Sequence, residues 1–218
     1  MSIHQSFVPL DDTSRIQFVA SATGSGTATT FPLTVPAGAA AGDLAIYNLA
    51  TDTTTAYTYP AGWTFLQSSF VSSAAGATIA KILTAADVGA TVTITGDGGS
   101  DPFAGVMLIF RGFQNFKFFT AKSLNIQSTS GDPTAQTVTS SADNGKSVIV
   151  VGSTSGRPTG QNGAFVSTSP AFDATITSAS LRVGYSIYSK GTTVVNHTVD
   201  MNDVGQNILQ SFYMIFQS

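Results

Sequence analysis

Along this chain apolar residues recur at every second position, in short runs cut by glycine, proline, asparagine and aspartate. Ile16, Phe18 and Ala20 alternate with Arg15, Gln17 and Val19, and Val92 and Ile94 alternate with Thr91, Thr93 and Thr95. Leu181, Val183, Tyr185 and Ile187 alternate with Arg182, Gly184, Ser186 and Tyr188. A period of two belongs to a β-strand with one face on a core and the other toward water. The breaks (Pro36–Gly38, Pro60–Gly62, Gly96–Pro102, Gly131–Pro133, Asn144–Gly145) come at the short intervals of sandwiches and barrels. About 13 to 15 strands can be placed in this way. No segment carries a 3.6-residue period. The best helical candidate, Thr84–Gly89, is one turn long, with Thr84 placed to cap it and Gly89 to end it. The pattern predicts an all-β protein: an antiparallel two-sheet β-sandwich of jelly-roll type.

Composition supports that reading. The 12 acidic residues are all aspartate, and Lys plus Arg number 9. Glutamate and lysine favour helices, while threonine favours strands. Only 10% of residues are charged, yet 15 Phe and a mean hydropathy of +0.20 exclude disorder. The net charge of −3 and the scattered basic residues argue against nucleic-acid binding, which needs a basic patch. With no Cys, disulfides, zinc fingers, iron–sulfur clusters and thiol catalysis are excluded. No apolar run approaches the length of a transmembrane helix, so membrane insertion is not expected. Met1–Leu10 lacks the basic and apolar regions of a secretory signal. A role outside a cell would then be reached by assembly or lysis.

Three runs are apolar on both faces: Val106–Phe110, Val148–Val151 and Tyr213–Phe216, the last preceded by Phe212. In a two-sheet sandwich only one face of each strand meets the core, so something must cover the second. A loop, a further layer or another subunit would do so. The reading adopted is a subunit interface formed by Val106, Leu108, Phe110, Phe212, Met214 and Phe216, and hence a homo-oligomer.

Four segments echo each other in constant order. Gly42–Ile46 resembles Gly145–Ile149, Ile79–Lys81 resembles Ser186–Lys190, Val92–Thr95 resembles His197–Asp200, and Met107–Phe110 resembles Tyr213–Phe216. Such an echo points to two pseudo-repeated halves. The domain reading is an N-terminal docking arm, residues 1–15, followed by one sandwich, residues 16–218. The alternative is two small sandwiches, residues 16–113 and 123–218.

Chemistry-bearing constellations are few. His4 sits in the terminal segment and His197 on a strand. Gly152-Ser153-Thr154-Ser155-Gly156 has threonine where a nucleophile elbow needs serine, and reads as a polar loop. Gly24-Ser25-Gly26-Thr27 lacks the rest of any phosphate-binding fingerprint and also reads as a loop. Asn196-His197-Thr198 fits a glycosylation acceptor that has no visible secretory route. The densest acidic loop, Gly96–Asp101, makes Asp97 and Asp101 the one candidate metal pair, for calcium, against the alternative of a plain hairpin turn. No other cofactor is implied, and no catalytic residue is assigned. Tyr57, Tyr59 and Trp63 surround Pro60-Ala61-Gly62, where aromatic rings can stack on sugars or fold back to plug one end of a sandwich.

A pattern of turns and core positions runs through the first half of the chain. Gly42-Asp43-Leu44 opens a strand, Pro60-Ala61-Gly62-Trp63-Thr64 follows, and the next strand ends in Lys81. Ala86-Asp87-Val88-Gly89 then precedes Val92-Thr93-Ile94-Thr95, and an apolar strand closes on Phe110-Arg111-Gly112. Asp143-Asn144-Gly145-Lys146 and the final strand extend the pattern more loosely. In these motifs the chain resembles a family of all-β domains common in tailed-phage proteins and phage-derived bacterial genes. The resemblance implies a virion location, assembly with other virion proteins, and a non-enzymatic structural role such as capsid decoration or a tail-associated accessory subunit. An alternative is a receptor-binding module of a tail fibre or tail tip that attaches to host-surface glycans. A glycan-cleaving enzyme, needing two facing Asp carboxylates, ranks third.

Overall fold

The computed structural model describes residues 16–71, 74–112, 116–126, 136–141, 148–156, 162–166, 171–176, 179–188, 194–202 and 208–217. The arm assigned to residues 1–15 lies outside them. The described residues form sixteen strands and one 3₁₀ turn, Ala85–Asp87. The first eight are β1 (Gln17–Ala28), β2 (Thr30–Thr34), β3 (Leu44–Thr51), β4 (Tyr57–Thr58), β5 (Thr64–Val71), β6 (Ala74–Ile82), β7 (Thr91–Gly96) and β8 (Asp101–Arg111). The second eight are β9 (Phe116–Ile126), β10 (Gln136–Ser141), β11 (Val148–Gly156), β12 (Asn162–Val166), β13 (Ala171–Ile176), β14 (Ala179–Tyr188), β15 (Val194–Asn202) and β16 (Ile208–Gln217).

These strands form four antiparallel sheets. The first half has the orders β1-β8-β3-β6-β5 and β2-β7-β4; the second has β9-β16-β11-β14-β13 and β10-β15-β12. Adding eight to each strand number of the first half reproduces the second. Each half is a jelly roll in which the fifth strand has left the smaller sheet and pairs with the sixth in the larger one. The echoed segments fall on equivalent strands: β3 and β11, β6 and β14, β7 and β15, β8 and β16.

The two five-stranded sheets stack face to face. β1 and β8 lie over β13, β3 crosses β11, and β5 lies over β9. The stacking order is therefore reversed: the first strand of one half covers the fifth strand of the other, at both edges. This is how the two subunits of an isologous dimer meet, realised here within one chain.

Two cores result. One lies between the small sheet and the first large sheet and holds Phe31, Leu33, Tyr47, Ile79, Ile94, Met107 and Ile109. The other lies between the two large sheets. There Leu44, Ile46, Val106, Leu108 and Phe110 meet Val151, Leu181, Val183 and Tyr185.

This second core corrects the expected subunit interface. Val106, Leu108 and Phe110 have no exposed surface, because the second large sheet of the same chain covers them. β8 is apolar on both faces because it sits between two cores: Phe103, Met107 and Ile109 point to one, Val106, Leu108 and Phe110 to the other. Phe212, Met214 and Phe216 lie on β16, opposite Gly152, Val150 and Val148 of β11. Their side chains are outside the described residues.

Two expected loops are strands. Gly152–Gly156 belongs to β11, held between β14 and β16. Gly24–Thr27 belongs to β1, paired with β8. The glycines there serve close packing: a Cβ on Gly24 would lie 3.0 Å from Leu33 Cδ1, and one on Gly26 3.0 Å from the Phe103 ring. Among the described residues no helix is long and apolar enough to cross a membrane.

Candidate functional site

The motif residues gather at one end of the first sandwich. Asp43 precedes β3 and is buried, and Arg111 closes β8 beside it. Arg111 donates from Nε to Asp43 Oδ1 and from Nη2 to Oδ2, both at 2.8 Å. The Ala40 N–H donates to the same Oδ2 at 2.8 Å, and Arg111 Nη2 reaches Gly38 O at 3.4 Å. The pair is bidentate, with the Arg side chain 51% exposed and the Asp 3%. Hydrogen bonding and the charge of Asp43 raise the pKa of Arg111 above its ordinary value.

A second ion pair joins Lys81, near the end of β6, to Asp87 in the 3₁₀ turn, Nζ to Oδ1 at 2.7 Å. Asp87 Oδ2 also accepts from Thr84 N at 2.7 Å and Thr84 Oγ1 at 2.6 Å. Thr84 thus starts the turn as expected, and Gly89 ends it at φ 73°. Gly62, at φ 79°, would carry a Cβ 3.5 Å from Lys81 Nζ, so the turn leading to Trp63 leans on the same lysine.

Partial burial pushes the Asp87 carboxyl up, but hydrogen bonds from Lys81 and Thr84 outweigh it and hold the pKa at about 2. A depressed carboxylate pKa contributes stability above the unfolded-state value, here 3.8, that is lost as pH falls through the folded-state value. Asp87→Asn should therefore be less stable than the wild type at neutral pH. Urea titrations at a series of pH values should show the difference closing between about pH 4 and pH 2. A difference that stays constant across that window would remove the assigned role of Asp87.

At the opposite end, the candidate metal pair is engaged by threonines. Asp101 Oδ2 accepts from Thr53 N at 2.9 Å, Thr54 N at 2.7 Å and Thr54 Oγ1 at 2.7 Å, and Oδ1 accepts from Thr53 Oγ1 at 3.2 Å. Asp97 accepts from Thr55 N at 3.1 Å and from Thr55 Oγ1. The Thr55 hydrogen bonds lower the Asp97 pKa. Both carboxylates thus face donors that fix the loop between β3 and β4. Among the described residues there is no group of three or more metal-ligating acidic or histidine side chains.

The three candidate ligand-binding aromatics all pack partly buried against the core between the small sheet and the first large sheet. Tyr57 lies edge-on to Phe31 at 6.3 Å, and its hydroxyl is hydrogen-bonded to Thr51 Oγ1 at 2.8 Å. Burial pushes its pKa far up, the bond to Thr51 opposing only in part. Tyr59 lies 6.4 Å from Tyr57 and 5.2 Å from Phe65, with its hydroxyl bonded to Ser68. Trp63 is set by a turn in which its backbone N–H donates to Pro60 O at 3.3 Å.

A file of rings therefore runs from buried Phe103 through Phe31, Tyr57 and Tyr59 to Phe65, which is 49% exposed. Phe70 is 42% exposed. The five-residue spacing of Phe65 and Phe70 would put them on opposite faces of a regular strand. A bulge between Phe65 and Gln67 brings them to one face, opposite Ile79 and Ala75. No sequence signal marks that bulge, so the pairing of these exposed rings escaped the alternation pattern. His197 lies on β15, paired with Val138, and its side chain is outside the described residues.

Comparison of the chain with protein-family models, with curated proteins and with solved structures gives no match.

Proposed function

We propose that the chain is a non-enzymatic structural protein of a bacteriophage particle, a capsid-decoration or tail-associated accessory subunit that assembles with other virion proteins. The observation that carries this reading is the use made of the carboxylates. Asp43, Asp87, Asp97 and Asp101 each accept hydrogen bonds or an ion pair from the same chain and hold turns in place. General acid–base or glycosidic chemistry needs a pair of carboxyl groups open to a substrate; Asp43 and Asp101 are buried, Asp87 is ion-paired, and the exposed Asp97 is engaged by Thr55. The motif residues that resemble phage domains are the ones that build the two ion-paired turns. Phe65 and Phe70, together on one face of the edge strand β5, supply apolar surface suited to association.

Cross-linking and mass spectrometry of intact purified particles should recover this chain linked to other particle proteins. Particles that lack the chain would overturn the proposal.

A glycan-recognition role has one observation in its favour: the Phe65 ring, half exposed and backed by Tyr59. Binding of the assembled protein to a glycan array, lost in Phe65→Ala, would support it, and an array without signal would remove it.

A further inference from the structure

β5 is an outermost strand of the first large sheet, paired among the described residues only with β6. An edge strand offers a row of backbone donors and acceptors to any incoming strand, and proteins commonly blunt such edges with charge, proline or shortness. β4, at one edge of the small sheet, is two residues long, and β2, at the other, contains Pro32. β5 runs for eight residues, Thr64–Val71, without a charge or a proline. Phe65 and Phe70, the exposed large hydrophobic side chains among the described residues, are both on it. β1, at the opposite edge of the same sheet, keeps Phe18 and Val19 partly buried against the two cores. The small sheet has three strands to the five of the large one, and leaves the Phe65 and Phe70 face of β5 open.

We propose that this edge pairs with the same edge of a second copy of the chain, antiparallel across a two-fold axis, so that two large sheets become one continuous sheet. A two-fold contact must be self-complementary, and the bulge makes β5 so. Residues directly opposite in an antiparallel pair share a face. Five positions apart, Phe65 and Phe70 would lie on opposite faces of a regular strand. Phe65 stands opposite Ile79 and Gln67 opposite Thr78, so Leu66 is the extra residue with no counterpart on β6. That one residue brings the two rings to a common face. With the axis between Gln67 and Ser68, Phe65 of each copy stands opposite Phe70 of the other, and Thr64 opposite Val71. Each phenyl pair then covers apolar surface that water meets in the single chain. β5 holds no charged residue to meet its like across the axis. An extended backbone is what satisfies the groups along this edge, and the same strand read in reverse brings apolar side chains to Phe65 and Phe70 together. The pairing does not depend on the particle role proposed above.

Sedimentation velocity of the full chain, taken up to about 100 µM so that a weak interface is populated, should show a reversible dimer. Phe65→Lys/Phe70→Lys sets like charges opposite each other and should weaken the dimer by about hundredfold or more. Phe65→Asp/Phe70→Asp should do the same. An equimolar mixture of the two double variants should recover a dimer holding one of each, because opposite charges then face each other in both pairs. Both positions are exposed in the single chain and can take a charge, and melting curves check that each variant folds. Should either melt well below the wild type, Thr64→Lys, at an exposed polar position of the same edge, takes its place and should weaken the dimer by about tenfold or more. A wild type that stays monomeric across the range, a dimer that the charged variants retain, or a mixture of folded double variants that stays monomeric overturns the pairing.

Discussion

Phe110→Ala should lower the unfolding free energy by about 3–5 kcal/mol, the usual range for emptying a buried aromatic site. Denaturant unfolding would measure it, and for a chain of this size the melting temperature should fall by about 6–20 °C. Phe110 ends the apolar run of β8 and has no exposed surface. Its ring meets Tyr185 of β14 edge-on at 5.1 Å and Phe18 of β1 at 5.9 Å, while Phe18 and Tyr185 stack at 5.0 Å. Two of these rings come from the first half and one from the second, so the trio joins the two large sheets. Neighbouring Leu108, Val106, Leu181 and Val183 are equally enclosed, and β-sheet backbone cannot collapse into the space left by a ring. Phe65→Ala is the control: its half-exposed ring should cost about 0.5 kcal/mol or less. A loss below about 1 kcal/mol for Phe110→Ala would mean that the two large sheets do not share a core.

Asp101→Ala should cost a similar amount, about 3–5 kcal/mol, for a different reason. It removes no large apolar surface. It strands the Thr53 and Thr54 N–H groups and both hydroxyls, which now converge on one buried carboxylate. Each buried donor left without an acceptor costs about 1–3 kcal/mol, and those near the surface recover part of that from water. Asp97→Ala, acting on the exposed Thr55, should cost well under about 1 kcal/mol. Chemical denaturation of the two variants side by side checks the contrast. Equal, small losses would show that the Thr53–Thr55 loop is held by something else.

Much of this molecule can be read locally. Alternation places β1, β7 and β14 because a strand half-facing a core records its burial in its own residues. Turn residues act over three or four positions, so Pro60–Gly62, Gly42 and the Thr84–Gly89 turn are legible too. The order of the echoed segments shows the duplication before any strand is paired. The candidate site was less accessible. Asp97 and Asp101 look alike in sequence, yet one is exposed and the other buried beneath two threonines more than 40 positions away. Tyr57, Tyr59 and Trp63 cluster along the chain, but the packing of Phe31 and the hydroxyl of Thr51 decide how much of them remains for a ligand.

What the amino-acid order settles by itself is the all-β class and the turns, which depend on neighbours within a few residues, while the doubling of the pattern is signalled by short motifs recurring in the same order. Tertiary structure decides which surface covers the second apolar face of β8, and the answer is a strand layer some 70 residues further along the same chain. It also decides that a one-residue bulge turns Phe65 and Phe70 to one side. Hydrophobicity demands a cover without specifying its source, because burial is non-directional. Only the pairing of distant strands selects one.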